Sequence, residues 1–236
     1  MKIIVSPTKT QKRTSIKVDS TSFRPELTTS IWNLISKFSV QEIIQNYKVS
    51  EKLAQSIKDE LSTFDSSSIA IQTYLGSSFK NMNLNNWSTE DYDYAQEHLV
   101  ILSALYGVVK PMDGITLYRL DFNTKTEISL YDSWRGHITD YFNEVGQDII
   151  SLASEEYEKM IDTKNLKVKI VKVQFLESTP KGYVSKATYA KIARGKMVDL
   201  IIKNRIDSYD ELIKLKFDNY SYSEDLSNSN LITFLR

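Results

Sequence analysis

The residues whose types and spacing can do chemistry are mostly cationic. Lys167, Lys169 and Lys172 protrude from an alternating stretch, residues 166–176, that predicts a strand. Lys186, Lys191, Arg194, Lys196, Lys203 and Arg205 follow along residues 187–205, the longest expected helix. They lie beside an apolar stripe of Ala190, Ala193, Met197, Leu200 and Ile201. Residues 164–205 hold 11 basic and 2 acidic side chains, whereas residues 81–163 hold 5 basic and 15 acidic ones. A basic stripe suits a polyanion, because neutralising phosphates releases condensed counterions. The other reading is that the two blocks fold together and neutralise each other at the surface. Tyr183 and Tyr189 either stack on bases or pack, and packing is the expectation. Gly195, in mid-helix, allows close approach of a second backbone or of a phosphate.

A second constellation is Leu102-Ser103-Ala104-Leu105-Tyr106-Gly107-Val108-Val109-Lys110-Pro111. An apolar segment, a tight turn through Tyr106 and Gly107, and a new start at Pro111 outline a helix-hairpin-helix. In that motif free N–H groups of the hairpin hold a phosphate, and Lys110 adds charge. A buried strand followed by a glycine turn fits the same letters, and periodicity does not choose between them.

The third constellation is Tyr118-Arg119-Leu120-Asp121, followed by Tyr131-Asp132-Ser133-Trp134-Arg135. Arg119 and Arg135 lie in the acidic block, where an arginine either pairs with a carboxylate or faces an anionic ligand. The four residues Asp113, Tyr118, Arg119 and Asp121 are weak candidates for catalysis on a flipped base: a carboxylate and an anion clamp.

Other chemistry is excluded or poorly supplied. The 236 residues include no Cys and two His. Disulfides, thiolate zinc sites and a cysteine nucleophile are therefore ruled out. His137 and Asp140 share a helix face, but no metal site is expected. No Walker A, dinucleotide-binding, nucleophile-elbow or zincin pattern occurs, so no cofactor is expected. The opening Met1-Lys2-Ile3-Ile4-Val5-Ser6-Pro7 is too short in apolar residues for a signal peptide, and no stretch has the length of a membrane span. The expectation is a cytoplasmic protein without membrane contact, with a monomer favoured.

The elements that must position these residues read as mixed α/β. Residues 2–5 predict a buried strand, and residues 26–38 a helix. Ser39, Ser50 and Ser88 or Thr89 predict helix starts. Residues 66–82 predict a helix. Residues 132–145 predict a helix capped near Asp132. Residues 148–152 predict a strand, and residues 217–222 and 231–235 two more. No repeat or linker interrupts the chain, which predicts a single domain over residues 1–236.

The pieces together resemble the YaaA family, the bacterial peroxide-stress-resistance proteins. The resemblance runs through Ile3-Ile4-Val5-Ser6-Pro7-Thr8-Lys9-Thr10, then residues 102–113 and Tyr118-Arg119-Leu120. It continues in Leu152-Ala153-Ser154-Glu155-Glu156-Tyr157, Tyr189-Ala190-Lys191-Ile192-Ala193-Arg194-Gly195, Glu224-Asp225-Leu226-Ser227 and Phe234-Leu235-Arg236. Thr8 stands where the family usually has Ala, Ala104 replaces a Gly, and Asp121-Phe122-Asn123 replaces the commoner Glu-Met-Gly. The resemblance implies a compact α/β domain with a helix-hairpin-helix-like element and a positively charged cleft. It also implies protection of DNA under hydrogen peroxide stress and limitation of free iron. On that reading Lys167, Lys172, Lys191, Arg194, Lys196 and Lys203 meet phosphates. Lys9, Lys110 and Arg119 line the cleft, and Tyr106 and Gly107 form the hairpin. DNA is then bound by structure rather than by sequence, and glycosylase-like base excision is the alternative.

Overall fold

Burial of the first strand organises the chain. The computed structural model describes residues 1–19 and 22–236. In it Ile3, Ile4 and Val5 of β1 (Lys2–Val5) are at most 2% exposed. A strand so buried needs partners on both edges and cover on both faces, the condition of a parallel sheet lined by helices.

The later strands are β2 (Ser68–Ile69), β3 (Leu99–Ser103), β4 (Gly107–Val109), β5 (Gly114–Ile115), β6 (Ile149–Ser151), β7 (Ile170–Thr179), β8 (Gly182–Val184), β9 (Ser221–Tyr222) and β10 (Leu231–Leu235). The helices are α1 (Pro25–Ile35), α2 (Val40–Tyr47), α3 (Glu51–Glu60), α4 (Ala70–Thr73), α5 (Ser77–Lys80), α6 (Thr89–His98), α7 (Leu130–Val145), α8 (Glu155–Glu158), α9 (Ala187–Asn204) and α10 (Tyr209–Leu212). The main sheet runs β4-β3-β1-β6-β7-β10-β9, with β8 paired to the end of β7; β2 and β5 form a separate pair. β1 is parallel to β3 and β6, β6 to β7, and β7 to β10, while β4 and β9 add antiparallel edges. This is the expected mixed α/β fold. No described helix is long and apolar enough to cross a membrane.

Local chemistry sets the boundaries. Ser39 and Ser88 each cap a helix by accepting the N–H of the third helical residue, whose carboxylate returns to the serine N–H. Helix α7 starts earlier than expected because Ser129, not Asp132, is its cap. Residues 66–82 are not one helix. Ser68 and Ile69 pair with Ile115 and Gly114, and the Ala70 and Ile71 amides donate to the Asp113 and Pro111 carbonyls. These long-range partners replace the intrahelical ones.

The helix-hairpin-helix reading gives way to its alternative. Residues 99–109 form an antiparallel strand-turn-strand, β3 to β4, in register Ser103 to Gly107. The physical reason lies in the turn: the Leu105 and Tyr106 N–H groups donate to Ser103 Oγ at 3.2 and 3.1 Å. The donors that would hold a phosphate are used inside the protein. Tyr106 is 2% exposed; its hydroxyl accepts the Thr116 N–H at 2.9 Å and pairs with Ser66 Oγ at 2.7 Å. Gly107 has φ +73°, and a Cβ there would lie 2.4 Å from the Trp134 ring. That ring is fixed in turn by donation from its Nε1 to the Ala104 carbonyl at 2.9 Å.

Gly107→Ala therefore combines left-handed backbone strain with a clash against a buried tryptophan. It is expected to lower the unfolding free energy by about 2 kcal/mol or more, read from urea midpoints with unchanged slope.

Candidate functional site

In open α/β sheets, ligands lie beyond the carboxyl ends of the strands. Here the loops leaving β1 and β6 meet at that edge. Ser6 Oγ accepts the Ser154 N–H at 2.8 Å and lies 3.2 Å from Ser154 Oγ. Between these loops, α5 and the first half of α9 lies a cleft of about 370 Å³, with Lys9, Asp121, Glu156, Lys191 and Arg194 in its walls. Gly195 brings α5 and α9 together: a Cβ there would lie 2.0 Å from the Ser78 carbonyl oxygen. Of its two readings, the close approach is thus to a backbone.

The charges in the cleft are unequally satisfied. Lys9 Nζ pairs with Asp121 Oδ2 at 2.7 Å, and the Tyr157 hydroxyl donates to Asp121 Oδ1 at 3.4 Å. Glu156 Oε1 is buried without a hydrogen-bond partner. Burial raises the pKa of this carboxyl, the charge of Asp121 raises it further, and backbone donors at Asn123 and Phe122 oppose the rise together with Lys9. Arg194 Nε is also buried without a partner, and the guanidinium has no ion pair among the described residues. Burial makes it a weaker base, and the charge of Glu158 opposes that shift. Lys191 is exposed beside it and likewise makes no ion pair. Arg119 lies in an adjoining crevice with Lys9 and Asp121, its Nε buried and unpartnered, its guanidinium 6.0 Å from the centre of the Tyr47 ring.

Of the residues expected at a site, Lys9, Asp121, Lys191 and Arg194 therefore meet in one cleft, with Arg119 next to it. Tyr118 lies under the floor, 3% exposed, its hydroxyl 2.7 Å from Ser103 Oγ and 2.9 Å from the Tyr74 hydroxyl. Tyr106 and Gly107 are in the core. Lys110 and Asp113 are elsewhere. Lys110 follows β4, which runs antiparallel to β3 and therefore heads toward the amino edge of β1, away from the cleft. Asp113 caps the same turn, accepting the Lys110 N–H at 2.8 Å. Lys167 precedes β7 and so lies at that opposite edge too.

Three further lysines are occupied. Lys172 pairs with Glu158 at 2.7 Å, Lys203 with Asp199 at 3.1 Å, and Lys196 with Asp218. Arg205 pairs with Asp91 at 2.7 Å, so neutralisation takes part of the basic block, with Glu158 and Asp91 supplied by the acidic one. Sequence reasoning missed Glu156, Ser6 and Ser154. The available signal was that Ser6 directly follows the strand Lys2–Val5, while Ser154 and Glu156 sit where the chain turns from the strand Ile149–Ser151 into the next helix. A larger depression of about 610 Å³, bounded by Lys12, Arg13 and Lys80, contains no buried unpartnered polar group.

Residues 1–226 match the model of a family described as peroxide stress protein YaaA. The chain belongs to this family. It is 34% identical over 255 residues to a UPF0246 protein of Francisella philomiragia, covering 100% of both chains. A UPF0246 protein of Fusobacterium nucleatum is 32% identical over 247 residues, covering 100% of this chain and 99% of that one. Every wall residue of the cleft falls within the part that matches the YaaA family.

The raised carboxyl of Glu156 has a consequence for stability. Its folded form holds the proton more tightly than the unfolded chain, so this group favours folding at low pH and disfavours it above its folded pKa. Glu156→Gln is expected to raise the melting temperature at pH 7, with the gain vanishing by about pH 4. Calorimetric scans across that range check both limbs.

Proposed function

We propose that this member of the YaaA family binds DNA through the cleft at the carboxyl edge of its sheet, and that this binding serves protection against hydrogen peroxide. The observation that carries the reading is Arg194. A guanidinium with a buried, unpartnered Nε is costly, because its desolvation is not offset by a hydrogen bond. A phosphate oxygen supplies the missing acceptor and a charge-assisted bond. Lys191 and Lys9 flank it, and Asp121 is already neutralised by Lys9. Phosphate contacts of this kind position a strand without reading its sequence, so preference is for structure.

Polarisation titrations with duplex, bubble and forked DNA over a salt series test this. Lys191→Glu and Arg194→Gln are each expected to weaken binding and to reduce the salt slope by about one. Unchanged affinity in both variants at about 50 mM salt rejects the cleft as the DNA site.

Glu156 supports a second reading, base excision. A carboxyl with a raised pKa beside Asp121, which is ion-paired with Lys9, gives two carboxyl groups in different environments and so can divide acid and base roles. In that reaction water adds at the sugar C1′, the N-glycosidic bond breaks, and the base leaves with a proton. Release of a base from damaged oligonucleotides by the wild type, lost in Glu156→Gln, is the expected result. No release across a broad lesion panel overturns it.

A further inference from the structure

The β7–β8 ribbon is left over from the sheet and from the cleft. β10 pairs with β7 only as far as Leu176, so Glu177–Thr179 have no strand partner except β8. The ribbon rises from the carboxyl edge, the edge that holds the cleft, and continues directly into α9 with Lys191 and Arg194. Residues 181–189 are all exposed. Its base is held firmly. The Glu177 carboxylate accepts from Arg236 Nε at 2.7 Å and from the Tyr220 hydroxyl, and the Ser178 N–H donates to the Arg236 carbonyl at 2.7 Å.

Two tyrosines lie on or beside the ribbon, and they differ. Tyr189, though exposed, is already engaged by two cations: Arg236 lies 4.5 Å and Lys186 5.3 Å from its ring centre. Tyr183 is 54% exposed and makes no ring or cation contact among the described residues. Its neighbour Val184 is also exposed, at 39%. The packing expected for Tyr183 is therefore absent. Around it the sequence is purely basic: residues 178–198 contain Lys181, Lys186, Lys191, Arg194 and Lys196 and no acidic residue.

We infer that Tyr183 is a stacking platform for an unpaired base of the nucleic acid whose phosphates the neighbouring cations hold. This rests on the reading of the cleft as a DNA site and adds to it what is recognised: a base swung out of a duplex stack or left unpaired. The basic residues favour an anionic partner, and the free aromatic face suits a base, since every base presents a π-surface. A two-stranded ribbon also fits within a nucleic-acid groove without rearrangement.

The test compares two single strands of equal length, one of thymidines and one of abasic residues, with identical phosphate charge. Wild type is expected to prefer the base-bearing strand by about tenfold, the size of one base–aromatic stack. Tyr183→Ala is expected to abolish that preference while leaving abasic-strand affinity unchanged. Tyr183→Phe is expected to retain it. Lys181→Glu is expected to weaken both strands alike. Equal binding of both strands by wild type, or an undiminished preference in Tyr183→Ala, overturns the stacking role alone. No binding of either strand at low salt overturns the DNA reading of the cleft and the platform with it.

Discussion

The cleft depends on pairing a four-residue strand along both of its edges. β1 is parallel to β3 on one side and to β6 on the other, in a register that sets Ile3 opposite both Leu99 and Ile150. Each pairing closes a long stretch of chain, whose entropic cost grows only slowly with length. The return is complete removal of Ile3, Ile4 and Val5 from water. Once β1 and β6 are neighbours and parallel, the residues that follow them must emerge side by side. Ser6 and Ser154, 148 positions apart, touch for that reason. The same parallel order sets the overhang of β7 on the same edge, so cleft and ribbon share one origin.

Electrostatics then divides the cations into two groups. Lys172, Lys196 and Lys203 each have a carboxylate within ion-pair distance and contribute little beyond surface solvation. Among the described residues Arg194 and Lys191 have none, and both line the cleft, together with the paired Lys9. A protein of zero formal net charge attracts a polyanion only where its field is focused, and a cleft with low-dielectric walls does this. The inventory of basic residues was thus a poor guide to the site; what marks it is a buried, unpartnered guanidinium nitrogen in the wall of a cleft.

Much of the fold was legible. Ser39, Ser50 and Ser88 start helices because a serine hydroxyl can satisfy an N–H left open at a helix start, a rule that needs no tertiary knowledge. The alternation before Leu176 gave β7, and the stripe from Ala190 to Ile201 gave α9. The failures share a cause. In residues 66–82 helical spacing was overridden by hydrogen bonds to Pro111 and Asp113, about 40 positions away. Residues 99–109 are buried on all sides, and a fully buried segment carries no periodicity to read. At the site, Lys9, Asp121, Lys191 and Arg194 were named one by one. Their meeting could not be seen without the strand order, nor could the removal of Lys110 and Lys167 to the far edge.

The hairpin changes how an anion can be held. A helix-hairpin-helix would grip phosphate with backbone N–H groups, which are rigid and indifferent to side-chain identity. In this chain Ser103 takes those donors, and Trp134 fills the space above Gly107. Anion affinity is left to side chains, which single substitutions can remove and salt can screen. The absence of cysteine adds a second constraint: thiol reduction of peroxide is chemically closed to this chain. A peroxide-stress protein without a thiol must defend by another route. In the DNA reading of the cleft, that route is to occupy the vulnerable nucleic acid itself, and the two unpaired cations beside an exposed tyrosine are the means it has.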